Sequence, residues 1–190
     1  MRRPDWLTEL HGFLALAAIG TGAAGVVTTV GTLTGQPVEI EVPADSVIAG
    51  APPGLSPGPA VPLLIDAPTA AQTGWALLAA LPRFVLVTAV LVLLWRAVGR
   101  ARHDDDLFRT GLAGRLHTLG LLLTVGGLVT WAVEAGARLA LSDSLGTAGT
   151  YWTADLSTPV WWGLLGFGMF AIGQIVRRGQ AMRDDLDRVV

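Results

Sequence analysis

The chain has 190 residues, 52% of them hydrophobic and 15% charged, with a mean hydropathy of +0.55 and a formal net charge of −2. Soluble domains carry about 25% charged residues, so an ordinary soluble enzyme is excluded, and the hydrophobicity excludes a disordered chain. There is no cysteine and no lysine, all 13 basic residues being arginine, which removes disulfides, thiolate metal sites, a P-loop lysine and Schiff-base chemistry.

The class that fits is an all-α integral membrane protein. A helix needs about 20 apolar residues to cross a hydrocarbon core of about 30 Å. Four segments meet or approach that length, at about residues 11–33, 74–95, 117–137 and 159–176. The first follows Arg2 and Arg3 and has the look of a secretory signal, but its apolar run continues through Val26, Val27 and Val30. That outlasts the usual hydrophobic region of about 7–15 residues, so an uncleaved anchor is expected.

Between the first two spans, residues 34–73 are rich in Pro and Gly, most of all over Ala51–Pro62. Val38-Glu39-Ile40-Glu41-Val42 alternates with period two and Val61–Ile65 is apolar, which fits a hairpin. A short run around Thr150–Thr153 is a third strand candidate.

The arginines set the orientation, because they stay on the cytoplasmic side. Arg2 and Arg3, then Arg96, Arg100, Arg102, Arg109 and Arg115, then Arg177, Arg178, Arg183 and Arg188 make eleven of the thirteen. Four spans put these three regions on one face. Segments 34–73 and 139–158 hold none and carry Glu39, Glu41, Asp45, Asp66, Asp143 and Asp155 instead. Both termini, the loop 96–116 and the tail 177–190 are therefore expected in the cytoplasm, and 34–73 and 139–158 outside. Trp75 and Trp95 stand about 30 Å apart along a helix, the separation of two interfacial belts. Trp6 and the Trp161-Trp162 pair take matching places. The expectation is one membrane domain over residues 1–190, multi-pass in the plasma membrane, with a small extracytoplasmic hairpin-containing loop.

Leu107-Phe108-Arg109, Arg115-Leu116 and Gly120-Leu121-Leu122-Leu123 resemble the cytoplasmic loop and third helix of the bacterial domain-of-unknown-function family 2975. The likeness strengthens from Asp155-Leu156-Ser157-Thr158-Pro159 to Arg177-Arg178-Gly179 and Met182-Arg183-Asp184-Asp185-Leu186, ending in Val189-Val190. It covers Trp95 to Val190; the first half matches in layout only. His117 stands where the family more often has arginine, and the outer loop is unusually rich in proline. The resemblance implies a small four-helix bacterial membrane protein without an assigned activity or site. Some relatives are encoded near a helix-turn-helix regulator, which points to a regulatory partner.

Arg83 is the sharpest single feature. It lies about 12 Å from Trp75 and about 18 Å from Trp95 by helical rise, where an arginine costs about 2.5–3.5 kcal/mol to insert. Glu134 in the third span is its expected partner, with Arg138 competing from one turn away. This triad reads as an ion or substrate gate or as a structural clamp; alternatively Pro82 begins the helix and draws Arg83 toward the interface.

His11 and His117 fall at the inner ends of their spans and read as interfacial, since a metal site needs more ligands. His103-Asp104-Asp105-Asp106 reads as a loop with Asp106 capping the next helix. Gly20, Ala24, Thr28 and Thr32 recur every four positions, and Gly163, Gly166, Gly168 and Gly173 dot the last span; both series read as close packing or a dimer face. Met182, Leu186 and Val189 form one apolar face of a polar helix, fit for a partner, for the chain's own loop or for lipid. The five serines lie on the opposite side from the histidines, against a Ser-His hydrolase.

The sequence thus predicts a non-enzymatic interaction or regulatory protein without a cofactor or metal. Its partners would be the bilayer and a protein or a second copy, not nucleic acid. The alternative is a small transporter or channel using Arg83 and Glu134, with Thr28, Thr88, Thr124 and Thr130 as a thin polar lining.

Overall fold

A computed structural model describes residues 6–43, 60–101, 112–144 and 156–187. The elements in chain order are α1 (Trp6–Leu33), β1 (Val38–Pro43), β2 (Ala60–Ile65), α2 (Ala70–Ala101), α3 (Leu112–Leu121), a π-helical turn (Leu122–Gly126), α4 (Gly127–Asp143) and α5 (Ser157–Asp187). Four stretches are long and apolar enough to cross a membrane: Thr8–Leu33, Ala70–Arg100, Gly114–Asp143 and Ser157–Met182.

Each helix outruns the apolar segment that announced it. The third begins at Leu112 rather than near His117, so Arg115 sits on a helix and not in a loop. The last continues to Asp187 without a break, making the polar tail an extension of the span. Helix propagation adds one hydrogen bond per residue fixed, so a formed helix carries on into good helix formers such as Gln, Ala, Met and Arg.

Pro82 lies inside α2, so a helix that starts at Pro82 is not what forms. The ring removes the N–H that would bond the carbonyl of Leu78, and α2 absorbs this with intact turns on both sides. Along α1 the threonines cap their own helix: Thr21, Thr29 and Thr32 donate their hydroxyls to the carbonyls of Ala17, Gly25 and Thr28 at 2.7–2.8 Å. These i−4 bonds satisfy the hydroxyl internally, which lets threonine sit on an apolar helix.

The chain divides into two compact units. The first holds Met1–Ala23, Arg83–Thr130 and Leu156–Val190. Its core is Leu86, Val90, Leu119 and Leu123, with Leu94, Leu122, Trp162 and Met169 packed against it. Here α3 and the π turn lie along α5.

The second unit holds Ala24–Pro82 and Trp131–Asp155. Helix α1 ends in a Schellman motif. Gln36 N–H donates to the Gly31 carbonyl and Gly35 N–H to the Thr32 carbonyl, and Gly35 takes the left-handed φ of +84° that this ending requires. The expected hairpin forms: β1 and β2 pair antiparallel with Val38 opposite Ile65 and Pro43 opposite Ala60. Pro62 is tolerated on β2 because both strands of a two-stranded sheet are edges. The base of the hairpin is anchored by Val38, which is buried against Leu141 beside Ile65 and Ala76. The third strand expected around Thr150–Thr153 lies outside the described residues.

Helix α2 opens with a capping box. Thr69 N–H donates to Gln72 Oε1 at 2.9 Å, and Gln72 N–H donates to Thr69 Oγ1 at 3.3 Å. The buried Gln72 side chain also reaches Ser144 Oγ through Nε2 at 3.3 Å. One side chain thus caps α2 and ties it to the end of α4. Gln72→Ala is expected to destabilise by about 1 kcal/mol for the cap and by up to about 1 kcal/mol more for the lost cross-link. An unchanged melting temperature in detergent would show that the box carries no weight.

Candidate functional site

In the first unit, α3 and α5 touch through glycine. A Cβ on Gly166 would stand 2.8 Å from the Gly120 carbonyl oxygen and against the Thr124 hydroxyl, and one on Gly120 would stand 2.9 Å from the Gly166 carbonyl. Just beyond, Gly127 accepts the Trp162 side chain, whose Cβ is 2.5 Å from where a side chain would begin. Of the small residues noted on the last span, Gly166 is one that packs closely on α3. Gly163 and Gly168 meet nothing within 4 Å. Gly20 on α1 likewise meets nothing within that distance, and Gly20 and Ala24 are exposed.

The π turn falls at this crossing. Thr124 donates its hydroxyl to the Gly120 carbonyl at 2.9 Å, so this member of the expected polar lining is engaged by its own helix. Such turns are uncommon and collect at functional places in helices. Nothing in Leu122-Leu123-Thr124-Val125-Gly126 distinguishes the turn in sequence.

The two described histidines both meet aromatic rings within this unit. His11 stacks on Trp95 with centroids 5.2 Å apart and planes 24° apart. His117 lies tilted on Phe170 at 4.8 Å. Sequence reasoning placed both histidines at span ends but missed their partners, and it read Trp95 as an interfacial marker when its indole is half-buried on His11. Among the described residues no group of three or more His, Asp or Glu is placed to hold a metal. His103-Asp104-Asp105-Asp106 lies outside the described residues.

Arg83 belongs to the first unit and is exposed on α2. Glu134 belongs to the second and is only 5% exposed, in the middle of an apolar helix. Arg138, one turn on along α4, is exposed. The buried positions of α4 are Gly127, Thr130, Glu134, Ala137 and Leu141. Their intervals of three and four residues make one helical seam, and Glu134 is its charged member.

No protein-family model, no curated protein and no solved structure matches this chain.

At the end of α5, Arg177, Arg178, Gly179 and Met182 are all exposed, Met182 at 68%. Its side chain is thus not covered by the chain's own described residues. The side chain of Leu186, and Val189 altogether, lie outside the described residues. The helix itself nevertheless continues through Leu186 to Asp187.

Proposed function

We propose that the chain is a multi-pass protein of the bacterial plasma membrane that acts by binding another protein, and that it is not an enzyme. The contact is made on the cytoplasmic side by the extension of α5, through Met182, Leu186 and Val189. The observation that carries this reading is the unbroken course of α5 past its apolar stretch, with Met182 open on it. A rigid helix that leaves an apolar side chain open among charged residues is a form in which helices enter a partner's groove. The arginine distribution supports a cytoplasmic position for both termini and for this rod. The resemblance to family 2975 is part of the same proposal and adds a regulatory setting.

The test is affinity purification from native membranes in mild detergent with a tag on the C-terminus. A stoichiometric partner that is lost in Met182→Glu is the expected result. The same partner retained in that variant, or a chain that returns alone, would overturn the assignment of the surface.

The second reading is a small transporter or channel. One observation favours it, the burial of Glu134 within a helix apolar enough to span, since ionisable groups at such depth often mark pathways. Flux into liposomes that depends on Glu134 would establish it.

A further inference from the structure

We propose that the cavity between the end of α1 and the start of α2 binds the headgroup of an aminophospholipid, of the phosphatidylethanolamine type. The inference rests on the reading of the chain as a multi-pass membrane protein.

The cavity lies within the second unit and measures about 410 Å³, inside the range of about 300–1,000 Å³ found for small-ligand sites. Helix α1 contributes Thr32 and Leu33, the turn that ends it contributes Gly35, and α2 contributes Thr73, Gly74 and Leu77. Leu33 closes the first candidate span and the second opens at Ala70. A cavity between two span ends falls in the headgroup layer rather than in the hydrocarbon core.

Gly74 is the first sign of an occupant. Inside a helix glycine is less favourable than alanine, and no protein neighbour demands it here. Nothing among the described residues lies within 4 Å of a Cβ at this position. At Gly120 and Gly166 the opposing helix fills that space, whereas Gly74 borders the cavity.

The hydroxyls decide what kind of group the cavity receives. Thr32 donates its hydroxyl to the Thr28 carbonyl at 2.8 Å, and Thr73 donates its own to the Thr69 carbonyl at 3.1 Å. A hydroxyl has one hydrogen, and both are spent on their own helices. What remains for a ligand is lone pairs, so the two threonines accept and do not donate. None of the described lining residues is charged. A phosphate or carboxylate finds no cationic donor there, while an N–H ammonium finds two acceptors.

Charge points the same way. No arginine or lysine occurs between Arg3 and Arg83. The second unit holds four acids in residues 24–82 and three in residues 131–155, against Arg138 alone. A unit of this balance attracts a cation and repels an anionic headgroup. Leu33 and Leu77 add apolar surface to the wall, which suits the chain that an ammonium lipid carries and a free amine lacks.

Phosphatidylethanolamine and phosphatidylcholine with the same acyl chains make the direct comparison. Both headgroups are zwitterionic, and only the first has N–H groups to donate. The full chain, purified from membranes in mild detergent, is titrated with each, and bound lipid is counted by native mass spectrometry. About tenfold tighter binding of phosphatidylethanolamine is expected, the worth of one hydrogen bond to a charged group. Gly74→Leu fills the cavity without a clash and should bring both lipids to the same weak level. Thr32→Val combined with Thr73→Val should leave the cavity open and lower phosphatidylethanolamine to the level of phosphatidylcholine. Melting temperatures check that each variant is folded, and if one is not, the other decides. Equal binding of the two lipids by the native chain, tighter binding of phosphatidylglycerol, or a preference that survives in either folded variant would overturn the site. Release of the chain from membranes by alkaline carbonate would overturn the membrane reading and the site with it. A chain that resists carbonate yet shows no preference would overturn the site alone.

Discussion

Gly166→Ala is expected to lower stability by about 1–3 kcal/mol, the usual cost of forcing a methyl into a filled space. At about 2–4 °C per kcal/mol for a chain of this size, the melting temperature in detergent should fall clearly. The new Cβ meets the Gly120 carbonyl oxygen at 2.8 Å and the Thr124 hydroxyl. The carbonyl is backbone and cannot swing aside, and the hydroxyl is already committed to Gly120. Relief therefore requires α3 and α5 to separate, which opens the packing around Leu119 and Leu123. Gly168→Ala is the internal control on the same helix. Nothing lies within 4 Å of its Cβ, so it should be neutral or stabilise by up to about 1 kcal/mol through helix propensity. Equal effects at the two positions would show that the glycine crossing does not form.

The second large effect is expected at Glu134. If it and Arg83 are paired, as the sequence suggests, then Arg83→Leu and Glu134→Met should each cost about 3–5 kcal/mol, because either leaves a charge uncompensated in an apolar setting. The double variant should recover much of that loss, since two apolar residues demand nothing of each other. Additive losses in a double-mutant cycle would remove the pairing. The same double variant separates the two functional readings. A protein that works by contact should keep its partner, whereas a charge-selective pathway should lose its flux. Glu134 is also the position at which a polar variant should be mildest: Glu134→Gln keeps the shape and most hydrogen-bonding capacity without the charge.

Both effects concern residues whose type was legible in the sequence and whose surroundings were not. Glu134 stands out as an acid in an apolar run, yet its burial was not foreseeable, because a residue's exposure depends on which face of its helix meets another. The glycines of the last span were visible as a group. Gly166 meets α3 closely, while Gly163 and Gly168 are open, and spacing alone does not choose between members of such a set. The hairpin was recoverable because period-two alternation and a matching apolar run are local signals; its register, Val38 opposite Ile65 and Val42 opposite Val61, came only from the structure. Helix ends were misjudged by up to about a turn and a half at Trp6, Leu112 and Ala101, where polar residues prolong helices that an apolar-length rule stops early.

By itself the sequence determined that this chain carries four helices able to cross a membrane. Apolar length and helix propensity are sums over neighbouring residues, and no distant contact is needed to evaluate them. It also marked where acids and arginines concentrate, which carries the proposed orientation. Only the tertiary structure decided that Trp95 receives His11, that Gly120 meets Gly166 at a π turn, and that Gln72 links its own cap to Ser144. Each of these joins residues far apart in the chain, at sub-ångström tolerance in rotation and register between helices. Close packing makes that register specific, and no one-dimensional pattern encodes it.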